Sequence, residues 1–184
     1  MDLANVLING RNFLYQPELY VFKSGKKRGL SLVSIMFSNP SYLVWQKRML
    51  DSQMTPMTVP NKLHLHLSWL LSTGERLQTS CVCPYCQGEK RSIKWFSVRR
   101  SYDGSFSYGF PYVCCDNADC KRQIHEERSS PVPLKFSSLK GFRDSEQKRM
   151  GRFFKDIFLG GDRFDSEKAF SLFVSATPLI NFMG

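Results

Sequence analysis

Cys81-Val82-Cys83-Pro84-Tyr85-Cys86 and, further along, Tyr112-Val113-Cys114-Cys115-Asp116-Asn117-Ala118-Asp119-Cys120 decide how this chain is read. They hold all six cysteines of its 184 residues. The best pairing sets C-x2-C at Cys83 and Cys86 against C-x4-C at Cys115 and Cys120. Four thiolates so spaced can close a tetrahedron round one zinc ion. Tight turns bring paired sulfurs to one centre, and Cys83-Pro84-Tyr85-Cys86 supplies such a knuckle. Adjacent residues on a strand point to opposite faces, so one of Cys114 and Cys115 reaches the metal, and Cys115 is favoured. Cys81 and Cys114 are then spare thiols, and His125 is a substitute ligand. Four thiolates leave no open position for water, so the zinc is expected to be structural.

Two strand candidates lie between the cysteine groups: Ser92-Ile93-Lys94-Trp95-Phe96-Ser97-Val98-Arg99 and Phe106-Ser107-Tyr108-Gly109-Phe110-Pro111-Tyr112-Val113. Tyr102-Asp103-Gly104-Ser105 joins them, and Asp-Gly is a strong hairpin signal. The zinc would hold this hairpin so that Lys90, Arg91, Lys94, Arg99 and Arg100 project from it, interleaved with Trp95 and other aromatics. Lys121 and Arg122 extend the basic surface. Cations neutralise phosphates, and aromatic faces stack on exposed bases. Trp95 and Phe96 are equally suited to cover a small core.

The whole composition agrees with a folded, cationic protein. Hydrophobic residues make up 42%, and there are 15 Phe. The formal net charge is +10, from 26 basic and 16 acidic residues, which favours polyanionic partners. The surplus is concentrated in residues 11–48, 87–102 and 135–155. The N-terminal residues have neither the positive flank nor the apolar length of a signal peptide, and no transmembrane segment is expected. A cytoplasmic, reducing location is therefore expected, in which metal binding explains the cysteines better than disulfides do.

Outside the cysteine region, Pro17-Glu18-Leu19-Tyr20-Val21-Phe22 reads as a strand, and Lys23-Ser24-Gly25-Lys26-Lys27-Arg28-Gly29 as a glycine-bounded basic turn. Asn39-Pro40-Ser41 starts a helix in which Tyr42 and Trp45 would join Leu32 and Ile35 in a core. Lys26, Lys27 and Arg28 are candidate nucleic-acid contacts. Residues 51–60 read as a linker, and Leu63 to Leu70 as a further short element. His64 and His66 alternate, a pattern open to metal binding or to a structural role. After the linker at 129–133, a helix from Asp144 or Ser145 to about Leu159 carries Phe153, Phe154, Ile157 and Phe158 on one face. A second helix is expected at 165–174.

Two family resemblances follow from these motifs. The knuckle Cys83-Pro84-Tyr85-Cys86, the strand pair, Tyr112 and Cys115-Asp116-Asn117-Ala118-Asp119-Cys120 resemble the zinc-binding element of the Ogr/Delta family, small phage activators of late transcription. Cys81, Cys114 and the absence of glycine after Cys120 depart from it. Gly25-Lys26-Lys27-Arg28-Gly29-Leu30-Ser31-Leu32, Ile35 and Asn39-Pro40-Ser41-Tyr42-Leu43-Val44-Trp45 are similar to the small C-terminal domain found after exonuclease X-like nucleases. In that family a Phe adjoins the first glycine, whereas here two residues separate Phe22 from Gly25. These resemblances imply a zinc fold and a role in phage or viral DNA transactions.

The expected fold is α+β. A basic sheet-plus-helix module (1–74) precedes a zinc ribbon with a β-hairpin (75–128) and a helical C-terminal segment (134–184). The expected function is non-catalytic binding of DNA or RNA, in transcription control, replication or recombination. The alternative is an adaptor in which Phe153, Phe154, Ile157 and Phe158 dock on a polymerase or nuclease complex. A small nuclease using Asp156, Asp162, Asp165 and Glu167 is a third reading. No nucleotide-binding, zinc-protease or serine-hydrolase motif is present, and no membrane or small-molecule partner is expected.

Overall fold

The computed structural model describes residues 3–77, 82–87, 93–102, 105–108, 112–127, 131–133, 144–160 and 163–178. It is mixed α and β, with six helices and six strands among the described residues. Strands β1 (Ala4–Ile8) and β2 (Arg11–Tyr15) pair antiparallel, closing at Ile8↔Arg11. The two-residue turn Asn9-Gly10 has φ of 48° and 78°, the backbone demanded by a type I′ hairpin. Alternation does the rest: Ala4, Val6 and Ile8 are buried, whereas Leu7 is exposed.

The Pro17 to Phe22 stretch is not a regular strand. It makes one isolated bridge, Val21↔Ser31, above the basic turn. Ser31 then caps α1 (Leu32–Met36) by accepting from the Ser34 N–H at 3.0 Å. Asn39 caps α2 (Pro40–Ser52) through the Tyr42 N–H, with Pro40 in the first turn as expected. The expected linker is ordered loop, pinned where the Arg11 guanidinium donates to the Pro56 and Thr58 carbonyls at 2.8 and 3.1 Å. Asn61 caps α3 (Lys62–Gly74), a full helix.

The C-terminal helices α5 (Asp144–Leu159) and α6 (Ser166–Ser175) pack into the main core. Their Met150, Phe154, Ile157, Phe158, Ala169 and Phe173 belong to the same core as β1, α1, α2 and α3. Trp69, on α3, sits at its centre, with ring centroids 5.8 Å from Phe170 and 6.2 Å from Phe173. Its indole N–H donates to the Thr177 hydroxyl at 2.9 Å. Gly151 lets α5 approach closely: a Cβ there would lie 2.4 Å from the Phe37 carbonyl oxygen. Burying each large aliphatic or aromatic side chain here stabilises by about 1.5–3 kcal/mol before entropy is counted.

This packing corrects two expectations. Phe154, Ile157 and Phe158 fill the chain's own core, and Phe153 is half-buried against it, so this face is not free to dock on a partner. In α2 the core face is Pro40, Leu43 and Val44, with Tyr42 half-buried against the core as expected, but Trp45 is 54% exposed.

The cysteine region builds a second, smaller cluster. The hairpin appears as β3 (Ile93–Tyr102), β4 (Ser105–Tyr108) and β5 (Tyr112–Cys115). β4 pairs with the C-terminal half of β3 and β5 with its N-terminal half, the register shifting by one residue between them. A short β6 (Pro131–Pro133) pairs with β3 at Phe96↔Pro133. Helix α4 (Ala118–Glu127) follows β5. Val113 packs against the main core and so connects the two clusters.

Candidate metal centre and cationic surface

Three local structures bring four sulfurs together. The knuckle at 83–86 closes with the Gln87 N–H donating to the Cys83 carbonyl at 2.8 Å. Cys115 ends β5, placed by its pairing with Ile93. Cys120 lies in the first turn of α4, which the Asn117 side chain starts by accepting from the Asp119 N–H at 2.7 Å. The second cysteine pair therefore comes from a strand end and a helix, in place of a second knuckle. Ile124, one helical turn after Cys120, covers the cluster from below.

The ligand atoms of Cys83, Cys86, Cys115 and Cys120 lie within 4.8 Å of one another. Cys86 Sγ and Cys115 Sγ are 3.7 Å apart. A tetrahedron with metal–sulfur bonds of about 2.3 Å has sulfur–sulfur edges of about 3.8 Å, so the set fits a four-coordinate metal ion. Cys83, Cys115 and Cys120 are buried, and Cys86 is exposed.

Electrostatics distinguish the thiols. Burial works against ionising Cys83, but N–H donation, led by the Cys115 amide at 3.5 Å, outweighs it and brings the thiol down to about 6. Burial, together with the adjoining thiols, raises the pKa of Cys120. Four thiolates this close repel one another, and a cation at their centre removes that repulsion. Cys114 behaves differently. Burial, then the neighbouring Cys83 and Cys115, push it up to about 12, and its thiol donates to the Cys115 carbonyl at 3.2 Å. It is a buried thiol outside the four-sulfur cluster. His125 is exposed on α4 and does not join the cluster. Cys81 lies outside the described residues.

His64 and His66 are not a metal pair. Both are buried on α3, but the Nε2 of His64 meets Asp51 Oδ1 at 2.7 Å, whereas Nδ1 of His66 meets the Tyr15 hydroxyl at 2.6 Å. Burial, and then the charge of Lys62, hold His66 down at about 3, so it is neutral. Burial, and then the charge of Glu18, raise the pKa of Tyr15.

The proposed phosphate contacts divide four ways. Lys26, Lys27 and Arg28 form a fixed turn: the Arg28 N–H donates to the Gly25 carbonyl at 3.1 Å, and the Gly29 N–H to the Phe22 carbonyl at 2.9 Å. Gly25 and Gly29 adopt φ of 76° and 79°, which only glycine takes readily. Among the described residues, no carboxylate pairs with Lys23, Lys26, Lys27 or Arg28. Lys121 is exposed, but Arg122 is held by Asp119 at 2.8 Å. Lys90 and Arg91 lie outside the described residues. Lys94, Trp95, Arg99 and Arg100 are on β3, with Lys94 opposite Cys114 and Arg99 opposite Tyr108.

Of the carboxylates considered for a nuclease, Asp165 has a structural role. Asp165 caps α6, accepting from the Glu167 and Lys168 N–H groups at 2.7 and 3.2 Å. Asp162 lies outside the described residues. No helix among the described residues is long and apolar enough to cross a membrane. No family model, curated protein or solved structure matches the chain.

Proposed function

We propose that this chain is a non-catalytic nucleic-acid-binding protein organised by one structural zinc ion, acting in phage or viral DNA transactions such as transcription control, replication or recombination. A tetrahedral set of four thiolates suits zinc, and a full sulfur shell leaves no position for a reacting water. The observation that carries the reading is uncompensated positive charge. The chain has ten more cations than anions, and its best-defined cation cluster, at 23–28, is held on a fixed turn with no carboxylate partner among the described residues. Ordered cations with no described carboxylate partner suit a polyanion, because binding releases its counterions. The resemblances to the Ogr/Delta element and to the exonuclease X C-terminal domain point the same way.

Binding to labelled DNA and RNA over a salt series tests this. The reading expects log affinity to fall linearly with log salt, with a slope that shrinks when Lys26, Lys27 and Arg28 become Glu. The triple change Lys94→Glu, Arg99→Glu, Arg100→Glu tests the hairpin as a second contact. A zinc-loaded protein that binds no nucleic acid at low salt, or binds without salt dependence, would defeat the reading.

A further inference from the structure

We propose that the N-terminal module carries a site for single-stranded nucleic acid, in which the Trp45 indole stacks on an unpaired base while the turn at 23–28 holds the adjoining phosphates. This rests on the nucleic-acid reading above and adds a location and a strand class to it.

The core has no use for Trp45. α2 faces inward through Leu43 and Val44, and leaves the indole 54% exposed, whereas Trp69 is 1% exposed. A half-exposed indole on a regular helix keeps a large apolar ring in water. It does not stand alone. The rings of Phe22, Tyr42 and Trp45 follow one another at centroid distances of 6.4 and 5.8 Å. The Lys27 ammonium lies 5.5 Å from the Tyr42 ring centre and so brings the basic turn to the middle of this row. Met49, one helical turn beyond Trp45, is 43% exposed and extends the apolar platform. Arg48, beside it, is exposed.

The surrounding charge selects the ligand. Glu18, the one carboxylate within 11–48, is 2.6 Å from Lys62. Asp51, at the end of the same helix, is held by Lys47 at 2.7 Å and by His64. No described carboxylate pairs with Lys23, Lys26, Lys27, Arg28 or Arg48. An exposed indole at the end of a row of rings, edged by cations with no described carboxylate partner, is the combination that takes bases on one side and phosphates on the other. A duplex hides its base faces in the stack, so the ring can be used only by an unpaired strand. The turn's own hydrogen bonds hold its backbone before binding, which limits the ordering cost.

Fluorescence anisotropy on the zinc-loaded full chain tests this, with labelled oligo-dT, oligo-U and a duplex of equal length. The expected result is tighter binding to a single strand than to the duplex. Trp45→Ala should weaken single-strand binding about tenfold, Trp45→Phe should recover most of it, and duplex affinity should not change. The dT and U arms separate DNA from RNA. Because Trp45 is exposed, unchanged circular dichroism is expected for both variants. Equal single-strand affinity of wild type and Trp45→Ala, with binding still present, overturns this site and leaves the broader function standing. Capture by anionic vesicles without single-strand binding also overturns it. Failure to bind any nucleic acid overturns both.

Discussion

Acidification from about pH 7 to about pH 4.5 should strip stability from this fold through one imidazole. His66 has none of its surface exposed, packed between Tyr15, Tyr20 and Trp69. Its Nε2 has no hydrogen-bond partner among the described residues. Burial, and secondarily Lys62, lower its pKa from 6.5 to about 3. The folded pKa lies below the unfolded one, so between these values the unfolded chain binds a proton that the folded chain refuses. The stability of neutral His66 is thus present above the unfolded value and is lost as pH falls toward the folded one. At pH 4.5, two units below the unfolded pKa, the loss is about 3 kcal/mol, a large share of a typical domain's stability. The assay is urea unfolding at half-unit pH steps, comparing wild type with His66→Gln. Glutamine can still accept from the Tyr15 hydroxyl but does not titrate. Subtraction removes losses common to both proteins, including protonation of the metal thiolates. The wild-type minus variant difference should fall by about 1.4 kcal/mol per pH unit below about pH 6. A difference that stays flat to within about 0.5 kcal/mol would refute the reasoning, since it would mean that His66 accepts a proton in the fold.

Three further outcomes are expected. Gly151→Ala should destabilise by about 2–4 kcal/mol, because its Cβ would meet the Phe37 backbone and neither α5 nor that carbonyl can yield cheaply; the urea midpoint measures it. Thr177→Val should cost about 1–3 kcal/mol by leaving the buried Trp69 N–H without its acceptor, again read from the unfolding midpoint. Cys115→Ser should lower bound metal from about one ion per chain to near none by elemental analysis, whereas Cys114→Ala should retain it, since the Cys114 thiol is engaged with a backbone carbonyl.

Much of the cysteine region was legible because its information is local. A C-x2-C knuckle and the spacing of Cys115 and Cys120 limit where four sulfurs can go, and Asp103-Gly104 marks a hairpin between them. Helix starts at Asn39 and Asp165 were legible for the same reason, since a cap acts on amides two or three residues away. The first hairpin was missed although Asn9-Gly10 is the strongest short turn signal in the chain. Cys120 emerged on a helix, because its spacing from Cys115 is compatible with either a knuckle or a helical turn.

By itself the sequence determined which four cysteines cluster, the cationic excess, the helix starts near Asn39, Asp144 and Asp165, and the presence of apolar helix faces. Only the tertiary structure decided what those faces meet. The Phe153, Phe154, Ile157 and Phe158 pattern is the same whether it docks on a partner or on its own chain, and here the core claims it. α2 presents two apolar faces: the one through Leu43 and Val44 is enclosed, whereas on the one through Tyr42, Trp45 and Met49 only Tyr42 is half-buried against the core. The physical reason is that periodicity records which side of a helix is apolar, whereas burial depends on distant elements. Here α5 packs against α2, and α6 against α1 and α3, while Trp45 stays outside, next to the basic turn.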